Sequence, residues 1–253
     1  MAAIGIMDSG VGGLSVFREI RALLPRERYL YYADNAHCPY GEKSPEFIRE
    51  RLRFITRFFL ERGAQAVVLA CNTATSAAIA TLRSNYDIPF VGMEPAVKPA
   101  ALNTRSGVIG VLATAGTLRG GKYQSVKANY AEGVQVIERV GEGFVELVER
   151  GIADGPVAEQ TVRASLAPLL DAGADAVVLG CTHYPFLLET LRKVASDLGK
   201  PDTVFIDPAP AVARRLQQVL REQGIAEEDP RPGTEYFSSG PGETLRKMAA
   251  SIE

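Results

Sequence analysis

The sequence predicts an α/β protein built as two pseudo-symmetric parallel-sheet domains related by internal duplication. Three observations predict it. Short apolar runs alternate with helix-length periodic segments along the chain, the pattern of βαβ units. The run Gly63-Ala64-Gln65-Ala66-Val67-Val68-Leu69-Ala70-Cys71 recurs as Gly173-Ala174-Asp175-Ala176-Val177-Val178-Leu179-Gly180-Cys181, differing only at Gln65/Asp175 and Ala70/Gly180. Two weaker echoes flank it in the same order in both halves. Ile4-Gly5-Ile6-Met7 resembles Ile109-Gly110-Val111-Leu112, and Phe90-Val91-Gly92-Met93-Glu94-Pro95 resembles Val204-Phe205-Ile206-Asp207-Pro208.

Each element has a local reason. Ile4 to Met7 reads as a first strand, and the turn Asp8 to Gly13 leads into a helix ending near Pro25. Tyr29 to Ala33 is a second strand. Ser44-Pro45 starts a helix, with serine as N-cap and proline at the first helical position. Ile48, Leu52, Ile55 and Phe59 then mark one face at helical spacing, and Gly63 closes the helix. Ala66 to Ala70 and Phe90 to Met93 are buried strands. The expected domains are 1–95 with 208–253, and 96–207. The Pro- and Gly-rich stretch 229–242 reads as a loop before a short final helix.

Bulk properties exclude several classes. The 253 residues are 46% hydrophobic and 23% charged, enough apolar material for packed cores and unlike a disordered chain. With 28 basic and 30 acidic residues the net charge is −2, so no nucleic-acid partner is expected. The arginines from Arg49 to Arg57 read as a solvated helix face. Met1-Ala2-Ala3-Ile4-Gly5 shows no charged n-region or long apolar run, and no segment approaches the roughly 20 apolar residues of a membrane span. A cytoplasmic protein with no membrane partner is expected. Three cysteines and two histidines, without a Cys-x-x-Cys pair, argue against a disulfide framework and a zinc site.

The chemistry is expected at Cys71 and Cys181. Ligands of parallel α/β sheets sit beyond the carboxyl ends of the strands, where both cysteines fall. A following helix N-terminus would favour a thiolate and bind a carboxylate. A lone strand-end cysteine is ordinarily a packing residue. Here both are followed by small polar residues, Asn72-Thr73 and Thr182-His183, which suit a substrate's charged groups better than a core. Two opposed thiols suit inversion of a stereocentre: one takes a proton from one face, the other returns one to the opposite face. No pyridoxal site is evident, so hydrogen bonds to the substrate carboxylate and a dry cleft would stabilise the carbanion.

Four motifs carry a family resemblance. Asp8-Ser9-Gly10-Val11-Gly12-Gly13-Leu14, Pro39-Tyr40-Gly41, Ala70-Cys71-Asn72-Thr73-Ala74 and Gly180-Cys181-Thr182-His183-Tyr184-Pro185 together resemble the glutamate racemases, from about Ile4 to Pro208. The resemblance implies an active site between the two domains, no cofactor and no metal. Cys71 would take the α-proton of D-glutamate, assisted by Asp8. Cys181 would take that of L-glutamate, assisted by His183 and Glu149, with Glu146 one turn away as the competing carboxylate. Asp8, Ser9, Tyr40, Gly41, Asn72, Thr73, Thr182 and His183 would hold the substrate, with Thr114 and Thr117 adding contacts. The family supplies D-glutamate for bacterial peptidoglycan. Where many members carry Thr-Ala-Arg, this chain has Asn35-Ala36-His37-Cys38. Asp34-Asn35 and Pro39 to Ser44 fit a subgroup in which some members need a peptidoglycan-precursor activator. A homodimer is the expected assembly.

Other readings stay open at this point. They are an aspartate or hydantoin racemase, a related decarboxylase, a two-lobed amino-acid binding protein and a thiol hydrolase. Asp8 as a mere helix cap, Gly10 to Gly13 as a phosphate loop, Tyr40-Gly41 as a simple turn and His183 as a buried core histidine are the bland alternatives for the site.

Overall fold

A computed structural model of the chain describes residues 3–130, 133–225 and 232–252. The fold divides into two compact units, Met1–Met93 with Ala209–Glu253, and Glu94–Pro208. The initial dipeptide Met1-Ala2 and the segment 226–231, which includes the start of the expected 229–242 loop, lie outside the described residues. Among the described residues no helix is long and apolar enough to cross a membrane.

The first unit runs β1 (Ala3–Asp8), α1 (Leu14–Leu23), β2 (Arg28–Ala33), α2 (Pro45–Leu60), β3 (Ala64–Leu69), α3 (Asn72–Asn85) and β4 (Phe90–Gly92). The second runs α4 (Val97–Asn103), β5 (Val108–Ala113), α5 (Ala115–Arg119), α6 (Gly121–Tyr130), β6 (Gln135–Val140), α7 (Phe144–Glu149), α8 (Gly155–Asp171), β7 (Ala176–Gly180), α9 (Leu188–Asp197) and β8 (Val204–Ile206). The chain then returns to the first unit with α10 (Ala209–Glu222), β9 (Gly233–Ser238) and α11 (Glu243–Ala249).

Every described strand pair is parallel. The first sheet has the order β4-β3-β1-β2-β9, the second β6-β5-β7-β8. Read from its β8 edge, the second sheet repeats the β4-β3-β1-β2 order of the first. The register repeats as well: Ile4 pairs with Ala66 and Met7 with Leu69, while Ile109 pairs with Ala176 and Leu112 with Leu179. The sequence echoes thus map onto equivalent strands in equivalent register.

Alternation along the strands builds a layer on each face of the first sheet. Met7, Leu30, Tyr32 and Val67 pack with Leu52, Ile55 and Phe59 of α2. Tyr29 and Tyr31 point the other way and meet Phe17 of α1, with ring centroids 5.2 and 6.0 Å apart. There α1 packs against α10. Helix α2 starts as its sequence dictates: Pro45 follows Ser44, whose Oγ accepts the Phe47 amide at 3.2 Å.

Two expectations need correction. The stretch 229–242 contains a strand, because Thr234-Glu235-Tyr236-Phe237-Ser238 is β-branched and aromatic between its flanking prolines and glycines. As β9 it pairs with β2 from Arg28↔Gly233 to Ala33↔Ser238. Nor are all the arginines of α2 solvated: Arg51 turns inward to a buried carboxylate, because Asp34 at the end of β2 faces that helix.

The repeated glycines Gly5 and Gly110 do the same work. A Cβ at Gly5 would lie 2.6 Å from the Phe59 ring, and one at Gly110 2.9 Å from Leu169 of α8. Each middle strand carries glycine so that a helix can approach closely. Gly5→Ala and Gly110→Ala are each expected to cost about 1–3 kcal/mol through overpacking, read as a lower urea midpoint. Adding Phe59→Leu to Gly5→Ala should recover part of that loss. A midpoint unmoved by Gly5→Ala would refute the close-approach argument.

Candidate active site

The parallel ladder delivers polar groups to the carboxyl end of each sheet. In the first unit Asp8 ends β1, and Cys71 stands two residues beyond the end of β3, the strand beside it. Asp8 is fully buried, and its Oδ2 accepts the Gly10 amide at 3.0 Å. The N-cap position of α1 is Gly13. The glycine-containing turn therefore closes on its own carboxylate, an unsuitable cradle for phosphate.

Cys71 is the N-cap of α3, and its Sγ accepts the Ala74 amide at 3.4 Å. The sulfur lies 3.9 Å from Ser9 Oγ. A fourteen-residue helix thus directs its positive end at this thiol. Asn72, next in the chain, is buried, and neither its Nδ2 nor its Oδ1 has a partner among the described residues. A buried amide left without a partner is costly. Thr73 is buried beside it. Thr75 is spent inside the fold: its Oγ1 donates to the Leu69 carbonyl at 3.2 Å and accepts the Met93 amide at 3.1 Å.

Tyr40 and Gly41 are buried in a short helical turn after β2. The Tyr40 hydroxyl donates to Asp34 Oδ2 at 2.6 Å. Burial, then the negative charge of Asp34, push its phenol far above the usual tyrosine range, so it stays a neutral donor. Burial pushes the Asp34 carboxyl up, but hydrogen bonds from Arg51, Tyr40, Ser239 and His37 outweigh it and hold the group below the usual carboxylate range.

The second unit supports its thiol differently. Cys181 follows β7 directly, with its neighbour Thr114 at the end of β5. The expectation of an α-helix N-terminus behind Cys181 is corrected here. The chain enters a short 3-10 turn, Tyr184–Leu187, and α9 begins only at Leu188. A His–Glu pair stands in that place. His183 Nδ1 lies 3.7 Å from Cys181 Sγ and 3.3 Å from Thr182 Oγ1, while His183 Nε2 lies 2.7 Å from Glu149 Oε1. His183 and Thr182 are buried. Of the two candidate carboxylates, Glu149 is the one bonded to the histidine. Thr114 caps α5, accepting the Thr117 amide at 3.2 Å and donating to Thr117 Oγ1 at 3.0 Å.

One feature common to both halves escaped sequence reasoning. A buried tyrosine lies within electrostatic reach of each thiol. Burial and then the Cys181 charge raise the Tyr184 phenol well above its ordinary range, and the Cys71 charge adds to the causes that raise Tyr40. Arg51 and Ser239 were likewise missed as part of the site's surroundings, and Asp34 enters only as part of the Asp34-Asn35 pattern, although it follows a strand as Asp8 does.

Residues 4–216 match the family model described as Asp/Glu/Hydantoin racemase. A Pseudomonas putida protein named glutamate racemase is 52% identical over 248 residues, covering 98% of this chain and 92% of that one. One from Methylococcus capsulatus with the same name is 48% identical over 250 residues, 98% and 91% of the two chains. Among solved structures, Escherichia coli glutamate racemase in complex with L-glutamate and the activator UDP-MurNAc-Ala is 36% identical, with TM-score 0.88, covering 99% of this chain and 95% of that one. A Bacillus anthracis glutamate racemase isoform is 32% identical, with TM-score 0.86 and coverage of 99% and 93%. With its two all-parallel α/β units and this extent of similarity, the chain belongs to the Asp/Glu/hydantoin racemase family.

Proposed function

We propose that the chain is a glutamate racemase that interconverts L- and D-glutamate through Cys71 and Cys181 without a cofactor. The observation that carries the reading is the equivalence of the two thiols. Each stands just past the third strand of its unit, in equivalent register, with polar groups around it. The names of the relatives at about half identity support glutamate as the substrate. So do solved relatives holding L-glutamate, from Escherichia coli, and D-glutamate, from Francisella tularensis.

In this reading Cys71 as thiolate removes the α-proton of D-glutamate, and Cys181 as thiol donates a proton to the opposite face. The roles reverse for L-glutamate. Asp8 and Ser9 assist Cys71, and the α3 N-terminus supplies N–H groups for a substrate carboxylate. The unpartnered Asn72 amide, with Thr73, Tyr40 and Gly41, completes the hold from the first unit. His183 relays protons at Cys181 and Glu149 holds its ring. Thr182, Thr114 and Thr117 add contacts. The product D-glutamate would serve peptidoglycan synthesis in the cytoplasm. A homodimer is proposed, with a peptidoglycan precursor of the kind that activates the Escherichia coli relative as a further proposed partner.

The central test incubates the protein with D- or L-glutamate in deuterated water without added cofactor. Loss of optical purity together with α-deuterium incorporation is expected. Inertness toward glutamate, with turnover of aspartate instead, would reassign the substrate; inertness toward both sinks the reading. Cys71→Ala and Cys181→Ala are each expected to lower turnover in both directions by more than about 1,000-fold, while Cys38→Ala retains it. Substantial activity in Cys181→Ala refutes the two-thiol assignment.

A directional prediction separates His183 and Glu149 from general structural support. Enantiomers have equal free energies, so kcat/KM must remain equal in the two directions in every variant. Direction therefore has to be read from isotope effects. Glu149→Gln is expected to lower kcat/KM by roughly 10- to 100-fold. It should raise the α-deuterium isotope effect with L-glutamate more than with D-glutamate. An equal rise for both enantiomers contradicts the placement of Glu149 on the Cys181 side.

A further inference from the structure

The loop that presents Tyr40 and Gly41 hangs from one carboxylate. Asp34 is fully buried and stands just beyond β2. Its own amide donates to the Asp8 carbonyl at 3.0 Å, so it sits beside the end of β1. Arg51 of α2 engages it with two donors, Nε to Oδ2 at 3.0 Å and Nη2 to Oδ1 at 2.8 Å. Tyr40 donates to the same Oδ2, and His37 Nδ1 lies 3.0 Å from Oδ1.

A second brace comes from the end of the chain, beyond the residues matched by the family model. Ser239, immediately after β9, hydrogen-bonds Asp34 through its side chain. Its Oγ accepts the Ala36 amide at 3.1 Å, and its amide donates to the Ala33 carbonyl at 3.1 Å.

We infer that Arg51 and Ser239 are positioning residues of the substrate loop, acting through Asp34 on Tyr40 and Gly41. The inference rests on the racemase reading above. A two-pronged guanidinium fixes a carboxylate in direction as well as in charge. Asp34 so fixed gives Tyr40 one acceptor at one place, and Ser239 ties the backbone between β2 and the tyrosine. Arg49, on the same helix, bonds Glu46 and the Ala77 carbonyl instead, which makes it the internal control.

The test compares kcat and KM for both enantiomers of glutamate in the full chain and in Arg51→Met, Arg51→Lys, Ser239→Ala and Arg49→Met, with the folded fraction measured for each. Loosening the loop should act on substrate binding. Arg51→Met is expected to raise KM by about 10- to 100-fold, with a much smaller fall in kcat. Arg51→Lys should recover part of that loss by restoring the charge. Ser239→Ala should raise KM by roughly 3- to 10-fold, and Arg49→Met should leave both constants alone. An unchanged KM in Arg51→Met overturns the inference, whether kcat is intact or falls only with the folded fraction. Where Arg51→Met does not fold, Ser239→Ala decides by the same split. A wild-type chain inert toward glutamate is a different result: it removes the racemase reading and this inference with it.

Discussion

Parallel pairing of the first and third strands of each unit is the constraint on which the rest depends. A parallel ladder sends all its strands out at the same end of the sheet, so whatever follows one strand is placed beside whatever follows its neighbour. The Met7↔Leu69 and Leu112↔Leu179 pairings put Asp8 near Cys71 and Thr114 near Cys181. A shift of one residue in either ladder would turn the apolar side chains to the opposite face and misplace the thiols. Gly5 and Gly110, each under a helix side chain, keep these sheets close to their covering layers.

From that shared frame the two units support their thiols by different physics. Cys71 caps a long helix and draws on aligned backbone amides. Cys181 enters a 3-10 turn instead, and a hydrogen-bonded His183–Glu149 pair stands beside it. The first arrangement is a fixed partial charge that titrates with nothing. The second is a pair of side chains, an imidazole held against a carboxylate. Duplication accounts for the likeness of the strands, and divergence of the turns after them accounts for two thiols with unlike surroundings.

The first unit also carries a burden that the second does not. Its Tyr40–Gly41 turn is tied to Asp34, a carboxylate removed from water and satisfied by a bidentate arginine, a tyrosine and a serine. A buried charge is tolerable only when its lone pairs are met in this way. The partners come from three separate stretches of sequence, so the loop's place depends on α2 and on the strand added by the returning end of the chain.

The sequence by itself determined the two parallel α/β units, the thiols and most of the polar groups around them. Strand and helix periodicity, a nine-residue repeat and the Ser44-Pro45 helix start are local signals, written in neighbouring residues. Tertiary structure decided what those signals leave out. It selected Glu149 over Glu146 as the partner of His183, because helix α7 turns only one of them toward that ring. It paired Arg51 with a buried carboxylate, although its sequence neighbours belong to a charged helix face. It drew a strand from the stretch 229–242, where β-forming residues lie between breakers and need a partner edge to pair. Each of these depends on contacts between residues far apart in the chain. Hydrogen-bond geometry and burial at such contacts are properties of the assembled fold, which no local pattern encodes.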